Sequence, residues 1–340
     1  MDPVTQALAS VTLSRAAFAR TTRLATPILL ATALAPDVDL LSSLGGADAY
    51  LRYHRTLLHS LPGALFLAMV IAAGACLADR FLKRTTPGAP LGFARAFGIC
   101  LVGLAFHDVI DLADSGGIQI LWPFHPKWYS WNLTANLDPW VLAILLAGLL
   151  LPELFKLVSE EIGEQKKQRR GTQRWAIAAL AIVALYGVAR SALHSRAVEI
   201  LQSRIYRGAI PIAAGAFPTS ISPFDWRGVV ATDNALVEIE VPLGPGSIFD
   251  PERGVTHYKP DPTPALAAAQ KSAAAARFLA YAKFPLASLQ PGPDGAHFEL
   301  RDLRFPAAST DNDNMIVVVD LDAELHVVRE EIRFARAKIR

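Results

Sequence analysis

His107 and Asp111 stand four residues apart in a run with a helical pattern, so their side chains share one face. That spacing lets a single helix turn offer two ligands to one metal ion. Asp114 falls near the same face, whereas Asp108 turns away. A pair of carboxylates, Asp37 and Asp39, follows Pro36. In an extended segment residues two apart face the same way, so both could reach one site and one could bridge two ions. His54, Arg55 and His59 lie where an apolar segment begins. Five residues apart, the two histidines would diverge on one helix, so His54 is read as a loop residue and His59 as part of the first helical turn, both aimed at one spot. Imidazole is the commonest protein metal ligand, and ionisable groups at membrane depth are costly enough to count as functional candidates. The simpler uses of the same residues are a solvated helix end for His107 and Asp111 and a turn or cap for Asp37 and Asp39.

The elements that must position these groups are membrane helices. Over 340 residues the chain is 52% hydrophobic and 19% charged; its mean hydropathy of +0.30 is too apolar for an ordinary soluble protein. The net charge of +2, with basic residues spread out, excludes a nucleic-acid binder. Cys76 and Cys100 lie in apolar runs and read as small buried hydrophobes rather than a disulfide. Met1-Asp2-Pro3-Val4 lacks the basic region of a signal peptide, so the N-terminus is expected to be retained.

Residues 57–78, 91–113, 139–158 and 175–193 are each long and apolar enough to span a bilayer. Two shorter apolar pieces, 3–18 and 24–34, read as a helical hairpin that enters the membrane and returns, which makes six helices. Basic residues collect in alternate turns: Arg20 and Arg23; Arg80, Lys83, Arg84 and Arg95; Lys166, Lys167, Arg169, Arg170 and Arg174. The intervening segments hold Arg52, Arg55 and Lys127, so the first set is expected on the cytoplasmic side. Under that orientation Asp37, Asp39, His54, His59, His107 and Asp111 all map to the outer ends of their segments. The aromatic cluster Trp122, Trp128, Tyr129, Trp131 and Trp140 falls at the same interface.

The fold class expected is thus an α-helical polytopic membrane domain, 1–194, followed by a small α+β extracytoplasmic domain, 195–340. In the latter, 229–241 and 315–322 read as strands, 264–281 as an Ala-rich helix, and 242–251 and 291–295 as loops. Asp138 before Pro139 reads first as a helix N-cap and second as a metal ligand. Arg55 and Lys127 suit a phosphate. His125, His194, His257, His297 and His326 lack carboxylates at ligand spacing, and Asp311-Asn312-Asp313-Asn314 reads as a turn rather than a Ca²⁺ loop.

Several of these pieces together resemble the YdjM-type family of membrane-bound metal-dependent hydrolases: Met1-Asp2-Pro3-Val4-Thr5, Pro36-Asp37-Val38-Asp39, His54-Arg55 with His59-Ser60, His107 with Asp111, and Trp122-Pro123-Phe124 with Asp138-Pro139. Ser222-Pro223-Phe224-Asp225-Trp226 and Asp302-Leu303-Arg304-Phe305 extend it more weakly. The resemblance implies a metal-dependent hydrolase, distantly similar to zinc-dependent phospholipase C and nuclease folds. Gln6 stands where family members usually carry histidine, and an amide oxygen is the weaker zinc ligand.

The expectation is a multi-pass inner-membrane hydrolase with a site at the outer surface. Asp37, Asp39, His54, His59, His107 and Asp111 would ligate one or two divalent ions. Zinc leads, with Mn or Fe as alternatives. Asp37, His59 and Asp111 take the catalytic roles, and Gln6, Asp138 and Arg55 are possible additions. The substrate would be a small or lipid-linked ester or phosphoester, with membrane lipid as the other partner. The rival is a non-catalytic membrane protein with a structural metal site and a partner-binding outer domain.

Overall fold

The computed structural model describes residues 1–340 except 19, 83–90, 162–167, 294, 308, 310–311 and 336–340, together with the side chains of 158–161 and 168–170. Lys83, Arg84, Lys166, Lys167 and Asp311, and the side chains of Arg169 and Arg170, therefore lie outside the described residues. The chain forms two compact units, Met1–Val38 with Arg55–Ser191, and Asp39–His54 with Ala192–Arg340.

The first unit is helical. Helix α1 (Pro3–Leu13) starts on Asp2, whose carboxylate accepts from the backbone nitrogens of Val4 and Thr5, with Pro3 in the first turn. A π-helical turn, Ser14–Phe18, leads towards α2 (Ala25–Leu34), and a 3-10 helix, Pro36–Gly45, continues from it. The second unit takes α3 (Ala47–Tyr53). Helices α4 (Leu61–Leu82), α5 (Phe93–Ala113), α6 (Pro139–Glu161) and α7 (Gln168–Gln202) follow. Ile28 and Leu29 of α2, Leu67, Ala68 and Ala72 of α4, and Ala96, Ile99, Cys100 and Leu104 of α5 form one buried cluster. Ala9 of α1 packs with Val141 and Leu145 of α6.

Among the described residues, five stretches are long and apolar enough to cross a membrane: Ala25–Gly45, Leu61–Leu82, Phe93–Ala113, Pro139–Leu157 and Gly171–Gln202. This corrects the expected six. α1 has 11 residues, far below the ~20 that a bilayer requires, and it packs against α2 and α6 instead. Leu65, Phe66 and Met69 of α4, Leu154 and Phe155 of α6, and Ile182, Leu185 and Val188 of α7 are exposed, as lipid-facing side chains must be.

The second unit holds two four-stranded antiparallel sheets, β1 (Ala213–Pro218), β2 (Asp225–Ala231), β3 (Ala235–Pro242) and β4 (Val255–Tyr258) in one, β5 (Pro285–Gly292), β6 (Gly295–Asp302), β7 (Met315–Asp322) and β8 (Val327–Phe334) in the other, each ordered as in the chain. The strand expected over 229–241 is two, because Thr232-Asp233-Asn234 makes a turn in which Thr232 Oγ1 accepts from the Ala235 nitrogen. The expected helix over 264–281 is also two, α8 (Pro264–Gln270) and α9 (Ala273–Tyr281), with Ser272 capping the second. The loop expected over 291–295 narrows to a hairpin tip, with Gly292 paired to Gly295.

Between the sheets, Asp302 accepts from the backbone nitrogens of Lys283, Phe284 and Arg304 and holds the buried Arg304 guanidinium at 2.6 Å. Burial alone would lower the Arg304 pKa, yet the neighbouring Asp302 charge keeps it above its ordinary value. Phe217, Val229 and Leu236 meet Phe284 and Leu303 beside this pair.

One close approach positions the first unit. A Cβ on Gly103 of α5 would overlap Thr32 Oγ1 and come within 2.8 Å of Leu29, so α5 meets α2 through a bare backbone. Gly98 on the same helix faces open space. Gly103→Leu should therefore destabilise the protein by about 1–3 kcal/mol through overpacking, while Gly98→Leu leaves the melting temperature unchanged or raises it. Thermal unfolding of the two variants in detergent checks the pair.

Candidate metal centre

Three short signals bring the chemistry together. On α5, His107 and Asp111 share a face through the four-residue spacing, and both side chains have no exposed surface. Before α4, Ser60 accepts from the Gly63 nitrogen at 3.2 Å and donates to the Leu57 carbonyl at 2.7 Å, closing the turn that presents His59. A Cβ on Gly63 would collide with that Leu57 carbonyl, so the turn requires glycine there. After α2, Pro36 opens the 3-10 helix and Asp37 stands in its first turn.

Asp37, His59, His107 and Asp111 each offer a ligand atom, and all four atoms lie within 4.8 Å of one another. Asp111 Oδ2 is 3.2 Å from His59 Nε2 and 3.2 Å from His107 Nε2. The two imidazole nitrogens are 3.2 Å apart. Asp37 Oδ1 is 3.6 Å from the first and 3.8 Å from the second. A tetrahedron with metal–ligand distances of about 2.0–2.1 Å has edges of about 3.3–3.4 Å, so this nest has the dimensions of a four-coordinate Zn²⁺ site. Asp37 Oδ2, Asp111 Oδ2, His107 Nδ1 and Gln6 Oε1 are buried without a hydrogen-bond partner among the described residues. Of these, Asp111 Oδ2 is one of the four nest atoms, and a buried carboxylate oxygen left bare beside two imidazoles is what a cation or water would satisfy. Donor set and dimensions both fit a divalent ion.

Asp111 is held from behind. Gln6 Nε2 donates to Asp111 Oδ1 at 3.0 Å and to the His107 carbonyl at 3.3 Å, and the Met1 amino group donates to the same Asp111 oxygen at 2.5 Å. That leaves Oδ2 facing the two histidines. Gln6 thus acts on a ligand through its amide nitrogen, a supporting role of the kind that fixes ligand orientation.

Asp39 and His54 belong to the other unit, where Asp39 Oδ1 and His54 Nδ1 pair at 2.7 Å and Tyr50 stacks on the imidazole. The extended geometry expected for Asp37-Val38-Asp39 is corrected: in a 3-10 helix three residues make a turn, so residues two apart point in different directions. Arg55, with a left-handed backbone (φ 57°), is buried and pairs with Asp114 at 2.9 Å. Asp138 caps α6, accepting from the nitrogens of Trp140 and Val141 with one oxygen and from the Tyr186 hydroxyl with the other.

The remaining histidines are structural or exposed, and three of them have carboxylate partners. His257 meets Glu238 at 3.1 Å, His297 meets Asp320 at 2.6 Å, and His326 meets Asp322 at 3.4 Å. The first two pairs are made across strands, where linear spacing carries no signal. Asn314 donates to the Pro306 and Ser309 carbonyls, and Asp313 accepts from Tyr50, as in a structural turn. Sequence reasoning missed Asp114 as the Arg55 partner, although it lies one helical turn beyond Asp111 and two beyond His107.

Residues 1–197 match the family described as YdjM inner membrane protein, and the chain belongs to that family. The uncharacterized protein YfhP of Bacillus subtilis (strain 168) is 30% identical over 122 residues, which are 36% of this chain and 35% of YfhP. The chain thus matches about a third of that relative's length. No solved structure matches it.

His59→Ala and Asp111→Ala should each abolish stoichiometric Zn²⁺ binding measured by calorimetry on metal-stripped protein. Gln6→Ala should weaken it by about 10–100-fold, and His257→Ala should leave it unchanged.

Proposed function

We propose that the protein is a membrane-bound, metal-dependent hydrolase of an ester or phosphoester, and that Asp37, His59, His107 and Asp111 hold its divalent ion. Zn²⁺ suits the mixed nitrogen and oxygen donors best, with Mn or Fe as alternatives. The observation that carries the reading is the buried four-atom nest of tetrahedral dimensions. A divalent ion there supplies Lewis acidity and a water acidified towards neutral pH.

The chain's own groups divide the work. Asp37 is the ligand with measurable exposure, its side chain 11% accessible against none for the other three, so substrate and water approach from its side. Its second oxygen, without a hydrogen-bond partner among the described residues, would take a proton from an attacking water. Gln6 keeps Asp111 in its ligating orientation.

Location suggests the substrate class. His59 immediately precedes α4, His107 and Asp111 lie in the last turns of α5, and Asp37 follows α2. The nest therefore falls at the ends of the α4 and α5 spans, at the depth of lipid headgroups, with Asp37 reaching it from within the 25–45 stretch. Arg23, Arg80 and Arg95 lie at the other end of those spans, so the positive-inside rule supports an outward-facing site and an extracytoplasmic second unit. A lipid or lipid-linked phosphoester fits that depth, and Arg55 is the buried cation nearest in the chain that suits its charge.

A structural metal clip is the second reading, favoured by one observation: four protein ligands already complete a tetrahedron. Turnover separates the two. Zinc-loaded wild type should hydrolyse chromogenic phosphodiester, phosphomonoester or carboxylic ester probes, and Asp37→Asn should retain metal while losing about 10²–10⁴-fold in kcat. Metal binding with no turnover of any of the three probes would favour the clip.

A further inference from the structure

Helix α7 is longer than a bilayer requires, and its far end identifies a second surface. From Trp175 to His194 the helix rises roughly 30 Å, the thickness of the hydrocarbon core. Arg174 and Arg196 flank that stretch, and Arg190, one turn before His194, is buried and donates to the Leu133 carbonyl at 2.8 Å. His194 therefore marks the depth at which the helix leaves the apolar layer, and the turns beyond it pack onto the β1–β4 sheet.

The packing fixes which end of the sheet is nearer the span. The His194 ring stands edge-on to Trp226 at 5.5 Å, at the start of β2. One helical stretch further, Leu201 lies so close to Gly228 that a Cβ there would come within 2.7 Å of it. Helix and β2 thus run the same way, and the beginning of β2 lies at the depth of His194. That end of the sheet carries the β1–β2 turn and, through the Leu243 nitrogen donating to the Phe224 carbonyl at 3.0 Å, the β3–β4 loop.

Both loops are apolar at their tips. Ile221 is 82% exposed, Phe224 46% and Ile248 85%. Neither 219–224 nor 243–249 contains a charged residue. The opposite end of the sheet also exposes isoleucines, Ile205, Ile210 and Ile212, but these sit among Arg204 and Arg207 and follow the end of the helix, a further 12 Å or so from His194.

We propose that the 219–224 and 243–249 loops insert their apolar tips into the bilayer interface and seat this sheet on lipid. Uncharged loops with exposed Ile and Phe at headgroup depth gain by burying that surface, and the hydroxyls of Ser220, Ser222 and Ser247 suit the polar boundary. The partner is the lipid surface of the membrane that α7 crosses, and the inference is independent of the metal centre.

The test is depth measurement on the full chain in phosphatidylethanolamine–phosphatidylglycerol vesicles. In a Cys76→Ala, Cys100→Ala background, Ile221→Cys, Ile248→Cys and Ile210→Cys variants each carry a nitroxide, and its collisions with oxygen and with a water-soluble nickel complex are compared. Oxygen should dominate at 221 and 248, and nickel at 210. Equal nickel access at all three positions would overturn the proposal. The unsubstituted chain provides a second readout: photoactivated lipid carrying a diazirine near its headgroup should label peptides spanning 219–224 and 243–249, and labelling confined to the apolar spans would count against it.

Discussion

Two imidazole nitrogens and two carboxylate oxygens crowded into one buried nest are the constraint on which the first unit depends. Three of the four side chains have no exposed surface, and five of the six edges between the nest atoms run from 3.2 to 3.8 Å. Lone pairs and negative charge gathered so closely away from water are costly unless a cation compensates them. A divalent ion would turn that crowding into binding energy, and the same ion would couple the ends of α2, α4 and α5 to one another.

The scaffold holds this arrangement by backbone means. Gly103 lets α5 approach α2 without an intervening side chain, and Gly63 with Ser60 closes the turn that presents His59. Gln6, reaching from α1, directs one oxygen of Asp111 away and leaves the other for the nest. Helices α4 and α5 are otherwise ordinary apolar spans with lipid-facing exteriors. Chemistry is confined to their ends, where ionisable groups are least expensive to keep.

Much of this was legible in the residues, and the exceptions share a cause. The pairing of His107 with Asp111 follows from helical spacing alone, and the four main spans follow from length and hydropathy. Asp37 is legible as a candidate ligand, but placing Asp39 beside it assumes an extended segment, and the 3-10 geometry after Pro36 sends it to His54 instead. His54 and His59, close in sequence, belong to different units because the chain leaves one and re-enters the other between them. The first apolar piece forms the short helix α1, packed against α2 as a hairpin requires, and its 11 residues are too few for a span of its own. His257 and His297 gained carboxylate partners through strand register, which no local spacing encodes. Local periodicity thus carried what lies within one element, and pairings between elements stayed hidden.

The most direct measurement of the central claim is X-ray absorption at the zinc edge on purified protein loaded with one equivalent of Zn²⁺. Four nitrogen or oxygen neighbours at about 2.0–2.1 Å, two of them showing the outer-shell scattering of imidazole, are the predicted result. A hydrated six-oxygen shell, or a spectrum unchanged when His107 is replaced by alanine, would contradict it.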